Sequence, residues 1–326
     1  MIISKTPLRI SFFGGGSDYP DYFNKYGQGA VLGTSIDKYV YCSTSKFYSK
    51  LFDYSIRISY SKVECVNSLD EINHAPFREC LRLLGIKTDI EVDYTAELPA
   101  FTGLGSSSSF IVGLLNSLHA FKGEKLNALE LAREAINIER EILREPVGCQ
   151  DQTFAAFGGL NRIRFNSQTD IEVEPILLSK DRLIEFEDHL MLFFTGIKRK
   201  ASQVIEKQIS RINDNKENLN KMRSLVDEGF DILTNSKKFE EFGGLLDKSW
   251  KMKRSLDDSI SNDTIDEIYE NGIKAGSYGG KLLGAGGGGF VLFFAHPKTK
   301  DNIRKALCDL TEIPIKINTH GSTIMN

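Results

Sequence analysis

At 326 residues the chain has room for one large or two medium domains. Its hydrophobic share of 41% and charged share of 26% are those of an ordinary globular protein, and a net charge of −3 gives no pull toward nucleic acid or an anionic membrane. The five cysteines are scattered without CxxC spacing and read as reduced thiols in a cytoplasm, not as a disulfide frame or zinc site.

The N-terminal stretch MIISKTPLRIS lacks the apolar core of a signal peptide, and no run approaches the roughly 20 apolar residues of a membrane span. In chain order, LRISFF (8–13), KYVYCSTS (38–45), SIRISYSKVECV (55–66) and DIEVDYTAEL (89–98) predict strands, being β-branched, aromatic and partly alternating. SSSSFIVGLLNSLHAF (106–121) predicts a helix with a serine start. NALELAREAINIEREIL (127–143) predicts a second, opened by a capping-box-like Asn127 and Glu130. Strand-like runs follow at 158–165, 171–178 and 190–196, around a segment, 179–189, of weak pattern. Residues 202–275 predict three helices, the first long and polar. Two strands around GGKLLGAGGGGFVLFF, one helix and a final strand IPIKINT (313–319) close the chain. The expected architecture is α+β, with domains over 1–180 and 181–326.

Three glycine clusters stand out: FGGGSDYP (13–20), TGLGSSSS (102–109) and GAGGGG (284–289). Gly284, Gly286 and Gly289 match G-x-G-x-x-G, but a dinucleotide fingerprint needs a helix after it and here the strand FVLFF follows. No G-x-x-x-x-G-K-[ST] occurs. In the second cluster Gly103 and Gly105 allow a tight turn before a helix whose free N–H groups attract anions, so this stretch reads as a phosphate site. A serine-capped helix with nothing bound is the alternative. Glu139 falls on the apolar stripe Ala132, Ala135, Ile136 and Leu143, where a carboxylate needs a partner or a metal. Asp151 opens a short helical stretch and reads either as a cap or as a catalytic group. Arg9 reads either as a strand-edge surface cation or as its partner.

In order and spacing the three clusters resemble the motifs of the GHMP kinase superfamily. Its second motif, P-x3-G-L-G-S-S-[AS]-[AS], is matched by Pro99, Gly103, Leu104, Gly105 and Ser106 to Ser109. The resemblance implies the GHMP kinase fold: an N-terminal domain like domain 2 of ribosomal protein S5 and a ferredoxin-like C-terminal domain. It implies ATP as cofactor, bound by Gly103, Leu104, Gly105, Ser106, Ser107 and Ser108, and Mg2+ held by Glu139 with Ser107. Gly148-x-x-Asp151-Gln152 resembles the catalytic G-x-x-D-Q of sugar-kinase members, with Arg9 as the second catalytic residue. The first motif resembles the galactokinase stretch G-E-H-T-D-Y-N, but Gly15 and Gly16 stand where glutamate and histidine contact the sugar. The resemblance implies substrate contacts from Gly15, Gly16, Ser17, Asp18, Gly286 and Gly287. PLRISFFGGGSDYPDYF, GCQDQ and FTGIKRKAS together resemble the D-glycero-D-manno-heptose 7-phosphate kinases. That makes Arg199, with Lys198 and Lys200, a candidate for the substrate phosphate, though a solvated charge run fits equally. The implied partners are ATP and a phosphorylated sugar, with neither nucleic acid nor membrane, in a cytoplasmic monomer or homodimer. A fucose- or galactose-type 1-kinase and a non-catalytic ligand sensor are the alternatives.

Overall fold

A computed structural model describes residues 1–198, 202–235 and 238–325. In chain order the strands are β1 (Ile2–Phe13), β2 (Gly29–Lys46), β3 (Ile56–Ser59), β4 (Val63–Val66), β5 (Ile90–Ala96), β6 (Leu160–Phe165) and β7 (Ile171–Pro175), then β8 (Leu190–Phe194), β9 (Ser277–Leu282), β10 (Phe290–Ala295), β11 (Thr311–Ile313) and β12 (Thr323–Met325). The helices are α1 (Pro20–Tyr26), α2 (Ala75–Leu83), α3 (Ser106–Phe121), α4 (Ala128–Asn137), α5 (Gln150–Phe157) and α6 (Lys180–His189), then α7 (Ser202–Ser210), α8 (Lys216–Thr234), α9 (Phe239–Arg254), α10 (Asp263–Lys274) and α11 (Lys300–Ala306). None of the helices among the described residues is long and apolar enough to cross a membrane.

The first sheet runs β12-β1-β2-β5-β3-β4, with β6 and β7 branching from β2. β2 is long enough to pair β6 through residues 29–34 and β5 through residues 40–46. The second sheet runs β11-β8-β10-β9, wholly antiparallel. Its strands lie in the order fourth, first, third, second, which is the ferredoxin-like arrangement.

Period-two alternation gives β1 its two tasks. Leu8, Ile10 and Phe12 enter an apolar core that the two sheets share, while Arg9 and Ser11 face the cleft between the sheets. Phe242 of α9 sits at the centre of the shared core, with ring centroids 5.4 Å from Phe12, 5.1 Å from Phe13 and Phe186, and 5.2 Å from Phe294. Facing α3, the Ser4 hydroxyl donates to the Gly113 carbonyl at 2.7 Å, which brings helix and strand into close contact.

Several elements differ from the sequence expectation. Residues 55–66 form a hairpin of two short strands. The weakly patterned segment 179–189 is α6, with Ser179 accepting the Arg182 N–H at 3.3 Å. Residues 202–275 form four helices, not three. The long polar helix is interrupted between α7 and α8 at Asn213–Asp214–Asn215, residue types whose side chains compete for backbone groups, and Asn215 Nδ2 donates to the Leu256 carbonyl at 3.1 Å. The run 313–319 is not one strand: Ile313 ends β11, and Ile317 makes a single bridge to Ile36. From there the chain returns to the first sheet. Asn318 exchanges backbone bonds with Ser35 and Gly159, the Ser322 N–H donates to the Ala155 carbonyl at 2.9 Å, and β12 pairs with β1.

Replacing Phe242 by alanine should cost about 3–5 kcal/mol, because it empties the aromatic centre common to both sheets. Urea unfolding measures this. A loss below about 1 kcal/mol would mean that the surroundings collapse into the space.

Candidate active site

The four serines of α3 divide their labour. Ser109 Oγ donates to the Pro7 carbonyl at 2.9 Å, anchoring the helix start to β1, and Ser108 Oγ donates to Glu139 Oε1 at 3.0 Å. Ser106 and Ser107 line the cleft. Gly105, just before them, has φ +76°, and a Cβ there would lie 3.1 Å from Arg9 Cγ and 3.3 Å from Asp151 Oδ2. A glycine is therefore required both by the turn and by the two side chains behind it. The turn exposes the free N–H groups of the α3 N-terminus to the cleft, an arrangement suited to phosphate.

Behind the turn lies a two-pronged ion pair. Arg9 Nε donates to Asp151 Oδ1 at 2.8 Å and Nη2 to Oδ2 at 2.6 Å, while Nη1 donates to the Gly103 carbonyl at 2.5 Å. Arg9 is only 4% exposed, so it is not a surface cation. Asp151, in the first turn of α5, does not cap that helix: its side chain is given to Arg9 and the cleft. Asp18 approaches the same place from the first glycine cluster. It accepts the Gly16 N–H at 2.9 Å and the Gln150 N–H at 3.4 Å, and burial raises its pKa, opposed by the Gly16 hydrogen bond and reinforced by the charge of Asp151.

Glu139 lies where α4 passes into a wider π turn over Ile138–Ile142, a local widening that often accompanies functional sites. It is fully buried, accepts hydrogen bonds from Ser108 and Gln152, and lines the cleft. Burial pushes its pKa up to about 8, against the two hydrogen bonds. Gln152 Oε1, on the side chain bonded to Glu139, is buried and has no partner in the structure. A buried carboxylate beside hydroxyls and an unsatisfied carbonyl oxygen is an oxygen-donor set that fits a hard divalent cation such as Mg2+. Ser107, expected to share that ion, lines the cleft, but the hydroxyl hydrogen-bonded to Glu139 is that of Ser108.

The structure thus brings Arg9, Gly15, Gly16, Asp18, Gly103, Gly105, Ser106, Ser107, Ser108, Glu139 and Asp151 to one cleft. Four expected contacts need correction. Ser17 is buried outside the cleft, its hydroxyl donating to the Gly14 and Ala30 carbonyls, both at 2.8 Å. Leu104 packs in the shared core, and its carbonyl accepts the Arg9 N–H at 3.0 Å. Gly286 and Gly287 pack on the backbone at Ile260, where the Gly287 N–H donates to the Ile260 carbonyl at 2.8 Å. From that loop it is Gly284 and Ala285 that reach the cleft. Arg199 and Lys200 lie outside the described residues, and Lys198 is exposed. Sequence reasoning missed Lys253 and Lys281, both buried lysines lining the cleft. For Lys253 a signal existed: it continues the buried stripe Phe242, Leu246, Ser249 and Trp250 at helical spacing.

Comparison with known proteins follows this geometry. The family GHMP kinases N terminal domain matches residues 73–159, and GHMP kinases C terminal matches residues 232–312. A D-glycero-alpha-D-manno-heptose 7-phosphate kinase from Campylobacter jejuni is 32% identical over 318 residues, covering 94% of this chain and 93% of its own. A galactokinase from Pyrococcus furiosus is 24% identical over 330 residues, covering 89% of this chain and 88% of its own. The crystal structure of a D-glycero-D-manno-heptose 1-phosphate kinase from Bacteroides thetaiotaomicron has a TM-score of 0.82 at 24% identity, covering 100% of this chain and 99% of that one, and shares its fold.

The pKa of Glu139 makes a testable demand. Between the ordinary carboxylate value and about 8, the folded chain keeps a proton that the unfolded chain has released, so Glu139 makes stability fall as pH rises through that window. Glu139→Gln removes this dependence. Unfolding of the ligand-free protein from about pH 5 to about pH 8 should show stability falling more in the wild type than in the variant. Parallel curves would mean that Glu139 titrates as an ordinary carboxylate.

Proposed function

The chain belongs to the GHMP kinase family, and from that premise we propose that it transfers the γ-phosphoryl group of ATP to the anomeric hydroxyl of D-glycero-D-manno-heptose 7-phosphate, giving the 1,7-bisphosphate. The family makes it an ATP-dependent phosphotransferase with an alcohol acceptor; the sugar and the position are the proposal. One observation carries it: the Arg9–Asp151 pair lies in the same cleft as the α3 N-terminus and the buried carboxylate of Asp18. The likeness to the Campylobacter jejuni enzyme, named for heptose 7-phosphate, supports the choice of sugar.

Phosphoryl transfer needs alignment and charge neutralisation more than covalent help from the protein. The N–H groups that open α3, with Ser106 and Ser107, would hold the ATP phosphates. Asp18 would accept from sugar hydroxyls and fix the ring. Asp151 would point its carboxylate at the anomeric hydroxyl and take its proton as the new O–P bond forms and the bond from the γ-phosphorus to the bridging oxygen of ADP breaks. Arg9 holds that carboxylate in one orientation and places a positive charge where phosphoryl oxygens gather negative charge. Glu139 and Ser107 would hold Mg2+, which when bound neutralises charge on the phosphates.

ATP consumption measured across heptose 7-phosphate, heptose, galactose and fucose tests the assignment. Heptose 7-phosphate should have the highest kcat/KM, and a preference for galactose or fucose would overturn the sugar while leaving the kinase. Asp151→Asn should lower turnover by roughly 10² or more with ATP binding retained. Near-normal turnover would remove Asp151 from the mechanism.

Gly15 offers a cleaner probe of acceptor size than Gly16. A Cβ at Gly15 meets only Gln150 Nε2 at 3.8 Å, whereas Gly16 has φ +100° and is strained by any side chain. Gly15→Glu should therefore abolish heptose 7-phosphate turnover without loss of ATP affinity. Unchanged turnover would place the sugar away from the first glycine cluster.

A further inference from the structure

Lys253 and Lys281 are buried cations to which the mechanism above gives no part. Lys281, on β9, spends two of its three donors in holding β1: its Nζ donates to the Ser11 carbonyl at 2.8 Å and the Phe12 carbonyl at 2.9 Å. Lys253, on α9 and 8% exposed, donates to the Gly284 carbonyl. An ammonium has three N–H donors, so two remain without a protein acceptor among the described residues. Both lysines line the cleft.

A second polar group in the same cleft, on the residue whose carbonyl Lys281 holds, lacks a partner among the described residues. Ser11 Oγ is buried, lines the same cleft and makes no hydrogen bond in the structure. The local charges are also unbalanced. The groups facing Lys253 are Arg9 from β1, Asp18 from the first glycine cluster, Asp151 from α5 and Lys281 from β9. Asp151 is paired with Arg9, and Asp18 accepts backbone N–H groups; among the described residues neither bonds to Lys253 or Lys281. Neither lysine has a carboxylate of its own, and buried charges without counter-ions are costly. An anion entering the cleft relieves that cost, and it meets free donors on Lys253 and Ser11.

We propose that Lys253 Nζ and Ser11 Oγ form a phosphate-binding subsite of the cleft, separate from the α3 N-terminus, taking a phosphate dianion. This rests on the kinase reading, within which two sources share that chemistry: the phosphate carried by the acceptor sugar and the phosphoryl group in transfer. Kinetics separates them. If Lys253 serves the acceptor's phosphate, Lys253→Met raises KM for heptose 7-phosphate and leaves unphosphorylated heptose unaffected. If it serves the phosphoryl group in transfer, kcat falls for both acceptors.

Lys253 also titrates in a usable range. Burial, with the neighbouring Arg9 charge, pushes its pKa down to about 8, against Asp18 and Asp151. Anion affinity should therefore weaken as pH rises through about 8 and the ammonium deprotonates. The direct test titrates inorganic phosphate into the ADP-bound protein, so that the α3 cradle is already filled, at pH values on either side of 8. Wild type should bind below that pH and weaken above it. Lys253→Met should lose about tenfold or more at neutral pH, the scale of a charge-assisted hydrogen bond, and Lys253→Arg should keep binding across the range with the break removed. Phosphate affinity, acceptor kinetics and pH profile all within twofold of wild type in Lys253→Met would overturn the subsite. Were that variant unable to fold, a pH break retained in Lys253→Arg would overturn it equally. Failure of the wild type to use heptose 7-phosphate would sink the sugar assignment alone, since the phosphate titration does not depend on it.

Discussion

Most of the cleft hangs from the bidentate pair between Arg9 and Asp151. Its three guanidinium bonds join β1, α5 and the loop before α3, elements drawn from residues 9, 103 and 151 of the chain. The planar fork of arginine can reach a carboxylate and a carbonyl at once; the single ammonium of lysine cannot reproduce that geometry. The Gly105 turn is shaped around the pair, and the first glycine cluster is tied to the same helix start through the Cys149 N–H donating to the Asp18 carbonyl at 3.1 Å. Moving either partner would displace the loop before α3, Asp18 and α5 together.

The cleft is also where the fold is electrostatically least comfortable. Asp18 and Glu139 are held above their ordinary pKa values, and Lys253 and Lys281 below theirs, all chiefly by burial. Such groups lower the stability of the ligand-free chain, and the aromatic core around Phe242 offsets them from the next layer. Under the proposed function, phosphates and a cation would supply the missing counter-charges.

What could be read in the sequence follows the range of the interactions involved. The turn before α3 was legible because a backbone with positive φ leading into a helix start leaves glycine and serine in one short run. Glu139 was legible because a carboxylate interrupting the stripe of Ala132, Ala135 and Ile136 is costly, yet the π turn that carries it has no periodic signature. Lys253 followed the same rule on α9 but was hidden among the charged residues of SWKMKRS. Ser17 and the pair Gly286 and Gly287 resemble ligand contacts in sequence because motif neighbours look alike. Only the tertiary contacts with Ala30 and Ile260 show that they pack away from the cleft. The break between α7 and α8 was readable in hindsight from Asn213–Asp214–Asn215. β12 was not, since three residues are too few to show alternation.

The return of residues 316–325 to the first sheet sets an order of events during synthesis. The strand that flanks β1, which carries Arg9, is β12, synthesised more than 300 residues after it. The same late segment braces α5, the helix of Asp151, at Ala155, and the turn after it at Gly159. Until that segment is made, β1 is an open edge of the first sheet and α5 lacks part of its support, so the pair of Arg9 and Asp151 is less firmly braced. A chain stopped before residue 316 would thus lack part of the bracing around the Arg9–Asp151 pair.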